Sequence, residues 1–344
     1  MKVLAALGLL LVTTCATVPA VATPRSNGAS SSRSASPTMA ALIPVNLDCR
    51  LPVWWGPSGA ATYAGFLSLP MQTLMQDSTA PAGSTFYDRA YSKWLPTTRN
   101  AVSADGSRYA YSEGQPLGPG AKGTLHVVDV TTGGDHIIYS GSPVFRVVDF
   151  ASEGIYLTTD DEVQTGLWLI DPSGGQPRLI SSTILRPAVG NGAAWGLGFD
   201  PTDPHPGQGG LIGPQNQVLR YDLSNGSATP WLYQPGASFE ILGLDYSGNL
   251  FLDDQVDQNT FEIWEVDSHA SYRVVYFDGD DQALKPAPTD MAAVDSYGTW
   301  FNGRPRGTDV GTSVWLADGG RLQQVATVNQ DYLSIAGGCI PSAS

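Results

Sequence analysis

The amino-acid sequence predicts an all-β protein: a six-bladed β-propeller of four-stranded antiparallel blades, with the last blade shared between the N- and C-terminal segments. Three observations predict it. The first is a phrase written five times: Leu125-His126-Val127-Val128-Asp129, Leu167-Trp168-Leu169-Ile170-Asp171, Val218-Leu219-Arg220-Tyr221-Asp222, Ile263-Trp264-Glu265-Val266-Asp267 and Val314-Trp315-Leu316-Ala317-Asp318. Each is a short β-type run ending in an aspartate that opens a polar turn. Successive aspartates are 42, 51, 45 and 51 residues apart, within or just above the period of propeller blades. The second is a series of turn glycines, Gly106, Gly154, Gly192, Gly248 and Gly298, closed by Gly338. The third is a pair of cysteines, Cys49 and Cys339, one near each end of the folded part.

In chain order, Met1-Lys2, the apolar run Val3 to Val12 and the small residues Ala20-Val21-Ala22 read as a signal peptide over residues 1–22. The alternative is a lipoprotein signal with a lipid anchor at Cys15, although Thr14 departs from the small residue expected before that cysteine. Residues 23–40 are Ser, Ala, Pro and Gly with almost nothing to bury, which predicts a flexible tail. Residues 41–341 form the propeller domain. No later stretch approaches the ~20 apolar residues of a membrane span. The expected location is extracellular or in the cell envelope.

The ends of the domain should meet. Gly65-Phe66-Leu67-Ser68-Leu69 falls where an earlier copy of the phrase belongs, while only Tyr332 to Ala336 follows the last copy, enough for one strand. A blade made of that strand and three from residues 49–78 removes the open sheet edges that an incomplete ring would expose. Cys49 and Cys339 then pair in an oxidising compartment and pin the joint.

Within each unit an inner run leads to a glycine turn, a second run, the phrase and an outer run, as antiparallel hairpins require. The second and third runs are apolar on both faces, as sheets sandwiched between neighbours must be. Trp168, Trp264 and Trp315 share one position with His126, Leu219 and Phe66, which reads as packing between blades. The terminal aspartates read as turn formers whose carboxylates accept backbone N–H groups. No window sustains a 3.6-residue apolar period, so helices are minor.

The run Val102-Ser103-Ala104-Asp105-Gly106-Ser107-Arg108-Tyr109-Ala110-Tyr111-Ser112, followed by Leu125 to Asp129, resembles the repeat of the TolB-like, or WD40-like, β-propellers. Asp245-Tyr246-Ser247-Gly248-Asn249-Leu250-Phe251 is closer to NHL-type or gluconolactonase-type repeats. The resemblance implies a six-bladed propeller that serves as a protein-binding or periplasmic module, and it assigns no individual residue a role.

The formal net charge of −14 excludes nucleic acid and anionic lipid as natural partners, since both need clustered Lys and Arg. There is no G-x-S-x-G pentapeptide for a serine hydrolase. The four histidines, His126, His136, His205 and His269, show no metal-ligand spacing. No cofactor is required by this pattern. Ca²⁺ is the one ion with candidate donors, in Asp253, Asp254 and Asp257 of one hairpin and Asp278, Asp280 and Asp281 of a connection.

Counting back from each turn glycine gives the channel-mouth end of every inner strand: Arg99, Arg146, Arg186, Glu240, Asp290 and Tyr332. These residues form the expected ligand-binding set. Three arginines facing two carboxylates would orient an anionic or zwitterionic ligand, or would pair among themselves and plug the channel. The function read from the sequence is an exported binding or scaffold module for a protein or a small anionic ligand. The alternative is a metal-dependent hydrolase or lyase acting on a sugar-like substrate in the channel, with Glu240 and Asp290 as metal ligands or acid/base groups. A third reading gives partner recognition to the long connections Gln115–Lys122 and Pro201–Pro214.

Overall fold

A computed structural model describes residues 47–69, 71–115, 120–161, 163–203, 215–255, 261–278, 287–304 and 311–342. Among them the strands pair antiparallel, and the helical segments are two single 3₁₀ turns, Pro57–Gly59 and Arg99–Ala101.

The closing sheet forms as its composition predicts. Strand Leu333–Ile335 pairs with Cys49–Trp55, which pairs with Tyr63–Leu69, which pairs with Thr73–Gln76. The C-terminal Ile340–Pro341 adds a second pairing, on Cys49 and Arg50. Leu51, Val53 and Leu67 of this sheet are fully buried against Trp300, Val314 and Leu316 of the preceding one. Cys49 and Cys339 are bonded, with Cα atoms 5.8 Å apart across 290 residues of sequence.

Beside the disulfide, the Asp295 carboxylate gathers donors from three places. It accepts the Trp300 indole N–H and the Tyr297 backbone N–H at 2.8 Å each, and the backbone N–H of Cys339. A Cβ on Gly338 would lie 2.9 Å from Asp295 Cβ, so only glycine lets the chain pass this carboxylate without a shift.

The next sheet departs from expectation. It has three strands, Arg108–Gly114, Gly123–Asp129 and Asp135–Gly141, and its expected inner strand is nearly absent. The segment before it forms the small hairpin Phe86–Asp88 with Lys93–Leu95, then the Arg99–Ala101 turn, touching the sheet by one bridge, Val102 to Tyr109. Pro96 supplies no N–H to a ladder. The Thr97 hydroxyl instead donates to the Ala110 carbonyl at 3.2 Å, replacing a backbone bond.

The next two units also differ, because they share one sheet of seven strands. Strand Arg178–Gly190 pairs with Thr165–Ile170 through its first half and with Ala193–Gly198 through its second. The segment Ser181-Ser182-Thr183-Ile184-Leu185 offers β-formers and no Gly or Pro to end a strand. The joint is a bulge at which Arg186 takes the left-handed value φ 46°. Two regular four-stranded sheets complete the domain: Phe239–Leu244, Leu250–Gln255, Phe261–Ser268 and Ser271–Asp278, then Ala287–Asp295, Gly298–Arg304, Thr312–Asp318 and Arg321–Val328.

The repeated phrase does the packing expected of it. Trp264 stacks on Tyr272 with ring centroids 4.0 Å apart and meets Phe239 edge-on at 5.2 Å, while Trp315 joins Phe251, Ile263 and Phe301 between the last two four-stranded sheets. Asp129, Asp171 and Asp222 accept turn N–H groups at 2.7–2.9 Å. Five of the six turn glycines have positive φ, from 72° at Gly106 to 146° at Gly154, where a side chain would be strained. In the sixth turn that conformation belongs to Gly337, at 154°, and not to Gly338.

Candidate functional site

The inner strands succeed one another around an axis. Phe145–Ala151 packs between the Arg99–Ala101 turn and Arg178–Gly190, and Phe239–Leu244, Ala287–Asp295 and Leu333–Ile335 follow in turn. The six residues counted back from the turn glycines are distributed over this ring in separate groups.

Arg186 and Glu240 come together, on successive inner strands. The Arg186 Nη1 donates to Glu240 Oε1 at 2.8 Å, and the Arg186 backbone N–H donates to the Gln164 carbonyl at 3.0 Å. The bulge therefore aims this side chain at the next strand. Its Nε is buried and has no hydrogen-bond partner among the described residues. Arg146, on the preceding inner strand, is exposed and stands opposite Thr158, a buried residue whose hydroxyl is likewise unpartnered among the described residues.

Asp290 and Tyr332 come together elsewhere, at the joint between the last four-stranded sheet and the closing sheet. They line a cavity of about 250 Å³ with Asn302, Thr312 and Asp331. Tyr332 is fixed by its ring contact with Trp54, centroids 5.2 Å apart. Asn302 ties the joint by donating to the Ser334 hydroxyl at 3.0 Å and accepting the Ile335 N–H at 2.8 Å. The Thr289 hydroxyl donates to Asp290 at 3.0 Å.

Arg99 does not join either group. It lies in a 3₁₀ turn, and its guanidinium sits over the ring of Tyr246, 5.7 Å from the centroid. Tyr246 belongs to the glycine turn of the Phe239–Leu244 sheet, two inner strands removed from the nearest neighbour of Arg99, so the contact crosses the axis. Between them on the ring is Asp149, in the middle of Phe145–Ala151. Burial and then the charge of Glu153 push its carboxyl up to about 6, with Arg99 pulling the other way. Glu153 accepts the Tyr156 hydroxyl at 2.9 Å and the Ser152 hydroxyl at 3.0 Å.

The acidic candidates for Ca²⁺ are arranged differently from a hairpin tip. Asp253 and Asp254 lie within strand Leu250–Gln255, and Asp278 ends Ser271–Asp278, while Asp257, Asp280 and Asp281 lie outside the described residues. Asp254 is buried and accepts the Ser238 N–H at 2.8 Å, and burial pushes its carboxyl up to about 6. Among the described residues no group of three or more His, Cys, Asp or Glu is placed to hold a metal ion. His126 is a packing residue with partners: Asp135 at 3.0 Å, Thr124 at 2.9 Å and a stacked Tyr111. Residues 116–119 and 204–214 of the long connections lie outside the described residues, as do residues 1–46.

Sequence reasoning missed Asp149, Tyr246, Asn302 and Asp331. The signal for Asp149 was available: a carboxylate ending the apolar run Val147-Val148 of an inner strand. Nothing in the sequence signalled the Arg99–Tyr246 contact, because it depends on Arg99 leaving the strand.

Antiparallel sheets succeeding one another around an axis, with the first and last segments sharing a sheet, define a β-propeller. Comparison with known proteins agrees on the fold. No protein-family model and no curated protein matches the chain. Among solved structures, the chain is similar to TolB from Acinetobacter baumannii, with TM-score 0.50 and 14% identity over 86% of this chain and 68% of that one. It is also similar to prolyl endopeptidases, at TM-score 0.47 and 11% identity over 85% of this chain, and to the tricorn protease, at 0.43 and 12% over 81%. The chain spans 43% of the endopeptidase and 26% of the tricorn protease. The likeness to TolB is one of fold, a β-propeller.

Proposed function

We propose that the protein is an exported propeller of six blades that works as a binding module. In this reading the mouth of its channel takes a protein segment or a small ligand bearing a carboxylate. One observation carries it: the Arg186–Glu240 pair leaves a buried guanidinium N–H of Arg186 unpartnered among the described residues, with exposed Arg146 on the adjoining inner strand. Buried polar hydrogens are ordinarily satisfied, and a carboxylate reaching Arg186 Nε and Arg146 would satisfy this one with charge-assisted bonds. The disulfide fits an oxidising compartment.

The metal-dependent alternative is weaker. Glu240 is paired with Arg186 and Asp290 lines the cavity beside Tyr332, and neither of these contacts joins the two carboxylates named as its ligands. Thermal melting of the full chain against a panel of sugar acids and short acidic peptides tests the reading, because selective binding to the native state raises the midpoint. The expected result is a rise with one class of acid that Arg146→Ala abolishes. A rise that survives Arg146→Ala and Arg186→Gln would overturn it. A rise with Ca²⁺ lost in Asp290→Asn would do the same, in favour of the metal-dependent reading.

A further inference from the structure

The charges at the channel mouth follow an order. Arg146, Arg186 and Glu240 sit on three successive inner strands, Phe145–Ala151, the second half of Arg178–Gly190, and Phe239–Leu244. Residues opposite one another on paired antiparallel strands place their side chains on one face of the sheet, so Arg146 shares a face with Thr158. Tyr156, two residues before Thr158, belongs to that face as well, and it packs with Ile184 and Ala194 of the next unit. Ile184 in turn lies two residues before Arg186. Arg146 is thereby on the face turned toward the unit that carries Arg186, and no ion pair joins it to a carboxylate among the described residues.

The Arg186 guanidinium is only partly engaged. Its Nη1 donates to Glu240 Oε1 at 2.8 Å, while the buried Nε has no partner among the described residues. Nε and Nη2 form the edge of the fork that a carboxylate grips with both oxygens. The Arg186 side chain is 30% exposed and that of Glu240 57%, so the pair opens to the mouth instead of being sealed within it. Two guanidinium groups and one carboxylate leave a single positive charge, which matches one carboxylate on a ligand. That carboxylate, once on Arg186, stands beside Glu240 and is repelled by it. A ligand with a cation next to its carboxylate turns this repulsion into attraction, and Glu240 then discriminates against plain acids.

Resting on the reading of the mouth as a carboxylate site, we propose that its ligand is a free α-amino acid in its zwitterionic form. The carboxylate bridges Arg146 and the Nε–Nη2 edge of Arg186, and the ammonium donates to Glu240. An α-amino acid carries both charges on one carbon, which suits a site where Arg186 and Glu240 hold theirs in direct contact.

Thermal melting of the full oxidised chain with each of the twenty coded amino acids finds the ligand. Calorimetric titration then compares that amino acid with its N-acetyl form, which lacks the ammonium, and with its carboxamide, which lacks the α-carboxylate. Each analogue should bind at least about tenfold more weakly, the effect of losing one charge-assisted contact at a partly exposed site. In Glu240→Gln the free and N-acetyl forms should bind alike, and Arg146→Ala should weaken both. Both positions are exposed, and a melt matching wild type shows that each variant is folded. Equal binding of the free and N-acetyl forms to wild type would overturn the proposal and leave the carboxylate reading standing, as would a midpoint raised by other carboxylates and by no amino acid. A preference for the free form that persists in Glu240→Gln would also overturn it. A midpoint raised by no carboxylate at all would remove both readings.

Discussion

Replacing Cys49 with serine isolates what the ring closure contributes. The bond joins residues 290 apart. The chain-entropy relation for a loop of that length gives about 19 cal/mol/K, or about 5.7 kcal/mol at 25 °C, by which the unfolded state gains freedom when the bond is absent. The native ring survives the change, because Val53 still pairs with Ile335 and Asp295 still holds the Cys339 N–H. At roughly 2.1 cal/mol/K of unfolding entropy per residue, a domain of about 300 residues converts this to a fall in midpoint of about 9 °C. Differential scanning calorimetry of wild type and variant, each with and without reductant, measures it. Oxidised wild type should melt highest, while reduced wild type and both variant samples should melt together below it. Coincident melting of oxidised wild type and Cys49→Ser would refute the reasoning, since the covalent closure would then contribute nothing that the paired strands do not already supply.

Two other predictions test parts of the same frame. Asp295→Ala leaves the Trp300, Tyr297 and Cys339 N–H groups without their acceptor; at about 1 kcal/mol or more for each lost bond it should destabilise by about 3 kcal/mol, and a denaturant midpoint equal to wild type would contradict this. Asp254 has its carboxyl pushed up to about 6 from 3.8 by burial. Between these values the folded state holds more protons than the unfolded state, so stability falls as pH rises from about 4 to about 6 and levels off above. Asp149, raised to about 6 as well, adds to the same slope. Asp254→Asn, which keeps an oxygen for the Ser238 N–H, should therefore reduce that slope without abolishing it, and an unchanged pH profile of denaturant stability would count against the assignment.

Much of the architecture was legible because it depends on local and repeating chemistry. The phrase ending at Asp129, Asp171, Asp222, Asp267 and Asp318 falls at the end of a strand in every sheet that carries it, and the shared closing sheet follows from a surplus strand at one end and a missing one at the other. The departures have local causes that a repeat conceals. Pro96 and Thr97 replace an inner strand with a turn, and the β-forming segment 181–185 runs two units into one sheet. The candidate site was half legible for the same reason. Position along an inner strand finds Arg186 with Glu240 and Asp290 with Tyr332, but it cannot say which strands will be distorted. Arg99 therefore ends on Tyr246, and Asp149 went unremarked although its carboxyl is among the most perturbed in the domain.

Hydrogen exchange of the full chain, with and without the acid that raises its melting temperature, tests the central claim most directly. A carboxylate bound at the channel mouth should slow exchange in the segments that carry Arg146, Arg186 and Glu240 and leave the outer strands Ala228–Tyr233 and Arg321–Val328 unchanged. Protection confined to outer strands, or spread evenly over all sheets, would contradict a binding site at the mouth.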